Sequence, residues 1–255
     1  MKGNFNQNDL FWEIETKGEQ WEQGQTISGA LSVSNKGNKT VTVSNASVNL
    51  AFADFKKVFA GNSSAFNFTQ KFELPSNLTL KSDQKETLLF EFKLDLNAFI
   101  SDKKSSFYLT YGIEGEQKHL QLLIIPKPIF LKVVELLENF YRFKCVETKG
   151  NKKGVEFKFK APASKELATV EGLSLIQRLE DNILCIDFTF DINKIDLLAS
   201  SNSTKPTTKK ESKVFSLKLN PKEYLYTKDI LNQEFLLKKL EEVIAEVKVK
   251  GFFQK

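Results

Sequence analysis

The chain has 255 residues, 41% of them hydrophobic and 27% charged, with a formal net charge of +5. That balance excludes a disordered chain, and no apolar run approaches the roughly 20 residues a spanning helix needs, which excludes a helical membrane protein. The length suits two domains of common size, each able to bury a core.

Residues Met1 to Asp9 contain no apolar stretch of the kind a secretory signal carries, so a cytoplasmic chain is expected. Leu10, Trp12 and Ile14 then open a series of period-two patterns, the mark of strands with one buried face. Ile27, Gly29, Leu31 and Val33 make the next and end in the turn-forming run Ser34-Asn35-Lys36-Gly37-Asn38. Between Val41-Val43 and Ala46-Val48-Leu50-Phe52 the apolar parity switches, which predicts a bulge or bend in one long strand. Phe66, Phe68, Phe72 and Leu74 follow. Leu88, Phe90, Phe92, Leu94 and Leu96 alternate with Leu89, Glu91, Lys93, Asp95 and Asn97. Phe107, Leu109, Tyr111 and Ile113, then Leu120, Leu122 and Ile124, complete about seven or eight short strands over residues 1–125. No helical segment interrupts them, so an antiparallel β-sandwich is expected.

Pro126-Lys127-Pro128 fixes the backbone and withholds two ladder donors, which marks a linker over 126–128 and a second domain over 129–255. Leu131, Val134, Leu136 or Leu137, and Phe140 have helical spacing and predict a helix near 129–140. Strand patterns resume at Val155-Phe157-Phe159-Ala161, more weakly at Leu173, Leu175 and Leu179, and clearly at Leu184-Ile186-Phe188-Phe190-Ile192. Residues 199–213 hold one apolar residue in fifteen and are expected to form a mobile loop. Phe215, Leu217 and Leu219 restart a strand. Asn232 caps a helix running to about Lys248, with Leu237, Leu240, Ile244 and Val247 on one face. The fold class is therefore mainly β: two β-sandwich-like domains in tandem, the second with a short helix at its start and a C-terminal helix.

Groups for chemistry are scarce. His119 is the only histidine, which excludes a two-histidine zinc site, and any Ser-His-Asp arrangement would have to use it at the start of a strand. Cys145 and Cys185 are too few for a secreted disulfide framework, and Cys145 shares parity with Tyr141 and Phe143, which reads as buried. Gly24-Gln25-Thr26-Ile27-Ser28-Gly29 lacks the Lys-Ser/Thr ending of a phosphate loop. Asp187 and Asp191 share a strand face, which an exposed strand explains. The Asn-x-Ser/Thr triplets, the first at Asn38, carry no functional weight. The 23 phenylalanines fall on inward strand positions, so they read as core and not as a stacking platform for nucleic acid. No catalytic residue, cofactor or metal ligand is expected.

The order of Gly24-Gln25-Thr26-Ile27-Ser28-Gly29-Ala30-Leu31-Ser32-Val33, Ser47-Val48-Asn49-Leu50-Ala51-Phe52, Phe72-Glu73-Leu74-Pro75, Leu88 to Leu94, Ser106-Phe107-Tyr108-Leu109-Thr110-Tyr111 and Leu120 to Pro126 resembles the amino-terminal domain of the arrestin-like clan. That clan includes arrestins, Vps26-type retromer subunits and the bacterial sporulation-control protein M family. Phe140-Tyr141-Arg142-Phe143 and Val155-Glu156-Phe157-Lys158-Phe159 make the second half similar to the sporulation-control branch. The resemblance implies a non-enzymatic adaptor or regulatory scaffold that binds other proteins. The alternative is a peripheral module on an anionic membrane surface, using Lys205, Lys209 and Lys210 with Lys238 and Lys239 of the C-terminal helix. An enzyme would have to use Asp187, Asp191 or His119.

Overall fold

Contacts divide the chain into a first unit, Met1–Pro126, and a second, Lys127–Lys255. The structure, a computed structural model, describes residues 1–249 other than 201–202 and 228–229; for Ser63, 194–200 and 203–208 it describes backbone alone.

The first unit runs β1 (Lys2–Gln7), β2 (Leu10–Thr16), β3 (Gln20–Glu22), β4 (Thr26–Asn35), β5 (Val41–Val43), β6 (Ala46–Asp54), α1 (Phe55–Phe59), β7 (Phe66–Glu73), β8 (Leu78–Leu80), β9 (Lys85–Lys93), β10 (Ser105–Ile113), β11 (Lys118–Gln121) and β12 (Leu123–Ile125). Two four-stranded antiparallel sheets, ordered β1-β2-β4-β9 and β11-β10-β6-β7, form the body. Parallel β3–β12 and antiparallel β5–β8 pairs accompany them. The alternating apolar residues meet in one core, with Trp12, Ile14, Leu31 and Val33 from one sheet and Val48, Leu50, Leu109 and Tyr111 from the other. Burial of each such side chain contributes about 1.5–3 kcal/mol.

Two expectations change. The parity switch near residue 44 is not a bulge in one strand: β5 and β6 lie in different sheets, joined through Ser44 and Asn45, the latter at φ 55°. Strand β1 escaped the pattern because only Phe5 is apolar along its inward side, where it stacks 6.2 Å from Trp12 and edge-on 5.4 Å from Tyr111.

The second unit runs α2 (Pro128–Tyr141), β13 (Lys144–Asn151), β14 (Gly154–Lys160), β15 (Val170–Glu180), β16 (Ile183–Ser200), β17 (Ser203–Leu219), α3 (Pro221–Tyr224) and α4 (Gln233–Ala245). Its strands form one antiparallel sheet in sequence order, β13-β14-β15-β16-β17. Asp181 and Asn182, at φ 49° and 67°, make the two-residue turn from β15 to β16 that twisted hairpins favour. Phe157, Leu175, Phe188 and Phe190 are buried on one sheet face, and Gln177 on that face donates to the Phe130 carbonyl of α2 at 3.0 Å.

Helix α2 buries Phe130, Val133, Val134, Leu136 and Leu137, while Leu131 and Phe140 are 43% and 55% exposed. Two stripes with helical spacing overlap on this nearly all-apolar helix, and the face toward the sheet decided between them. In α4, capped by Asn232 whose Oδ1 accepts from the Phe235 N–H, the stripe is Leu236, Leu240, Val243 and Ile244 in place of one led by Leu237. The mobile loop expected over 199–213 is corrected: the backbone of β16 and β17 pairs from Leu184↔Leu219 out to Ser200↔Ser203. Backbone ladders do not require apolar side chains, which is why composition missed them. Residues 201–202 lie outside the described residues. Among the described residues, no helix is long and apolar enough to cross a membrane.

Gly29 sits where β4 passes closest to its neighbours: a methyl there would press on the Glu15 carbonyl oxygen and lie 2.6 Å from Phe90 Cζ. Gly29→Ala is expected to destabilise the first unit by about 1–3 kcal/mol through overpacking. Tryptophan fluorescence during urea unfolding checks this, because Trp12 and Trp21, the chain's two tryptophans, both belong to that unit. An unchanged midpoint refutes it.

Candidate functional site

On β6, Ala46, Val48, Leu50 and Phe52 point into the core, so Ser47, Asn49, Ala51 and Ala53 face outward. On β10 the outward residues are Ser106, Tyr108, Thr110 and Gly112. These outward positions are buried as well, in contrast to the alternation of an ordinary solvated face. Small side chains at the centre, flanked by larger ones, turn the outer surface of the β11-β10-β6-β7 sheet into a hollow.

A one-residue bulge builds one wall. The β6–β7 register shifts between Leu50 and Ala51, pairing Ala51 with Phe68 and Leu50 with Gln70, and Thr69 donates its hydroxyl to the Leu50 carbonyl at 3.0 Å. The extra residue sets Phe66 and Phe68 on the outer face while Phe72 still packs on the core. Phe66 lies 5.6 Å from Tyr108 and 5.5 Å from His119, and Tyr108 lies 5.5 Å from His119 edge-on. Helix α1 forms the opposite rim. Asp54 caps it, its Oδ1 accepting from the Lys56 N–H at 2.9 Å, and leaves Phe59 97% exposed.

Two adjoining hollows of about 790 and 650 Å³ result, sharing Val58 and His119. One end is floored by a polar network. Asn49 Nδ2 donates to Ser47 Oγ and Thr110 Oγ1 at 3.2 and 3.1 Å, and Gln117 Nε2 donates to Ser47 Oγ at 2.9 Å. The other end is aromatic. Burial, with Asp54 nearby, raises the Tyr108 pKa, whereas burial and then the Lys118 charge lower that of His119. His119 is exposed by area, yet its ring is packed against Phe66 and Tyr108. The arrangement offers ring faces, amides and a neutral imidazole for binding.

This hollow was missed from sequence because phenylalanines were assigned to the core. Phe68, 55% exposed, and Phe59 are not core. The signal present was the run of small residues at alternate positions, Ser47, Asn49, Ala51 and Ala53, beside strands rich in aromatics.

The lysines singled out from sequence all lie in the second unit. Lys209 and Lys210 are exposed on β17, and Lys210 pairs with Glu171 at 3.1 Å. For Lys205 only backbone is described, paired with Leu198. Lys238 is exposed on α4; Lys239 pairs with Glu242 at 2.7 Å and stands 5.8 Å over the Phe235 ring. Asp187 and Asp191 are four residues apart on β16, about 13 Å, too far to share a proton or cation. Burial raises the Asp187 pKa, but hydrogen bonds from Ser216 and Arg178 outweigh it and hold the carboxyl below its usual range. Ser212 donates to Asp191 at 3.3 Å. Both cysteines are free thiols, and the expectation for Cys145 is corrected: it is half-buried, whereas Cys185 is buried. Tyr141 ends α2 and Arg142 is left-handed at φ 60°, so the parity over Tyr141, Phe143 and Cys145 is not that of one strand. Among the described residues, no group of three or more His, Cys, Asp or Glu could hold a metal ion.

Two β-rich units with this order of strands and helices define an arrestin-like architecture. Among solved structures the chain matches Spo0M, the sporulation control protein from Bacillus subtilis, with a TM-score of 0.64 and 15% identity over 94% of this chain and 99% of that one. At that identity the likeness establishes a shared fold. An alkylpurine DNA glycosylase, AlkC, from Pseudomonas fluorescens, and a β-glucosidase from Erythrobacter marinus both score 0.31 at 10% identity; they cover 46% and 49% of this chain and 30% and 15% of their own, and support no argument. No family model and no curated protein matches.

The His119 shift has a stability consequence. A folded-state pKa held below the ordinary value of about 6.5 means the unfolded chain takes up the proton first. The contribution is therefore full above about pH 6.5 and is lost as pH falls through that value toward the folded pKa. First-unit stability, followed by tryptophan fluorescence in urea, should fall more steeply between pH 7.5 and 5 in the native chain than in His119→Gln. Parallel slopes refute it.

Proposed function

We propose that this chain is a non-enzymatic regulatory or adaptor protein of the cytoplasm, and that it binds another protein through the outer-face hollow of its first unit. The observation that carries the reading is the solvent-facing aromatic rim, with exposed Phe68 lining a hollow of about 790 Å³ and exposed Phe59 the adjoining one of about 650 Å³. Exposed apolar clusters bordered by polar groups are where soluble proteins meet partners. The shared fold with a sporulation control protein agrees with a regulatory role.

Phe59→Ser with Phe68→Ser should leave stability within about 0.5 kcal/mol, since neither ring is core. The double variant should lose partners that the native chain captures from lysate reproducibly across salt concentrations. Capture of the same set by both proteins counts against the reading.

A second reading draws on charge. The first unit holds thirteen lysines against fourteen carboxylates, the second twenty-four lysines and arginines against eighteen, so the positive excess resides wholly in the second unit. Such an excess favours an anionic membrane surface, with Lys205, Lys209, Lys210, Lys238 and Lys239 as contributors. Flotation with phosphatidylglycerol vesicles should then exceed flotation with neutral vesicles and disappear at high salt. Equal recovery removes it.

A further inference from the structure

Although the first unit carries slightly more negative than positive charge, the two hollows reverse that balance. They are lined by Lys56, Lys71 and Lys118 against a single carboxylate, Glu114. Lys71 is 2.9 Å from Glu73 in a pair of which both members are half or more exposed, a weak tie open to exchange. Asp54 is engaged in capping α1. The two hollows follow one another along β11 from Lys118 to Gln121, three rises or about 10 Å, enough for roughly three residues of extended chain. Amide and hydroxyl groups of Asn49, Thr110 and Gln117 stand at one end, suited to a peptide main chain, and the rings of Phe66 and Phe68 at the other.

We propose that the hollow receives a short extended protein segment in which an acidic residue adjoins an apolar one. The apolar side chain seats against Phe66 and Phe68, and the carboxylate meets Lys56 or Lys118. This rests on the reading of the hollow as a protein-binding surface and adds the chemistry of the partner.

Phage-displayed random octapeptides selected on the immobilised full chain, and counter-selected on the Phe59→Ser/Phe68→Ser variant, test it. Sequences with Asp or Glu next to Leu, Ile or Phe should be enriched. A peptide made from them, followed by fluorescence anisotropy, should bind Lys56→Glu/Lys118→Glu at least tenfold more weakly and Lys238→Glu, in the second unit, as tightly as the native chain. The milder Lys56→Gln/Lys118→Gln pair should fall between, and circular dichroism with tryptophan fluorescence establishes that each variant is folded. Enrichment of neutral apolar sequences that depend on Phe59 and Phe68 overturns the acidic specificity and leaves the binding surface standing. No enrichment over the counter-selected variant overturns both. Phosphatidylglycerol vesicles bound where no peptide is, and lost with the same lysine changes, overturn the proposal in favour of a membrane surface.

Discussion

The first unit depends on the ladder between β6 and β10, nine residue pairs from Ser105↔Asp54 to Ile113↔Ala46. Each strand is buried on both faces. The inner side chains are large and apolar and fill the sandwich; the outer ones are small or hydrogen-bonded and shape the hollow. Buried polar groups on that outer side have partners, as the cost of an unpaired one demands: Ser106 donates to the Leu122 carbonyl at 2.6 Å, and Asn49 to Thr110. Core and candidate site are therefore two sides of one ladder, and a substitution on either must respect its register.

The second unit treats its outer face differently. Cross-strand pairs cover it: Lys158 with Glu147 at 3.1 Å, Lys149 with Glu156 at 3.1 Å, and Arg178 between Glu180 and Asp187. Ser174 and Asn151 also donate to Glu156, at 3.0 and 3.1 Å. Exposed pairs of this kind contribute little each, but together they neutralise charge locally. A unit rich in lysine thus presents a sheet face whose charges are largely answered by neighbours, and its positive excess belongs to other surfaces.

Much of the fold was legible because burial of one sheet face writes itself as alternation. Leu10-Trp12-Ile14, Phe90-Phe92 and Phe107-Leu109-Tyr111 are core as their parity requires. Alternation is silent where both faces are covered, since Ala51 and Tyr108 are buried on the side the pattern assigns to solvent. It is silent too where a ladder is polar, as in β1 and the outer reach of β17, because backbone hydrogen bonds leave no trace in side-chain hydropathy. The candidate site lay in that blind region. Its aromatics resembled core residues, and nothing local distinguishes an inward phenylalanine from an outward one once a bulge has intervened.

The bulge in β7 lets that strand change length without changing its faces. Removing Thr69 would make the ladder regular, with Gln70 opposite Leu50 and Phe68 opposite Ala51 as before, so Phe66 and Phe68 would keep the outer side and the strand beyond Gln70 its register with β6. The gain or loss of this one codon is thus taken up locally, and neither the aromatic wall nor the hydrophobic core changes sides. Chains sharing the sandwich can in this way differ in length along this strand and keep the same outer surface.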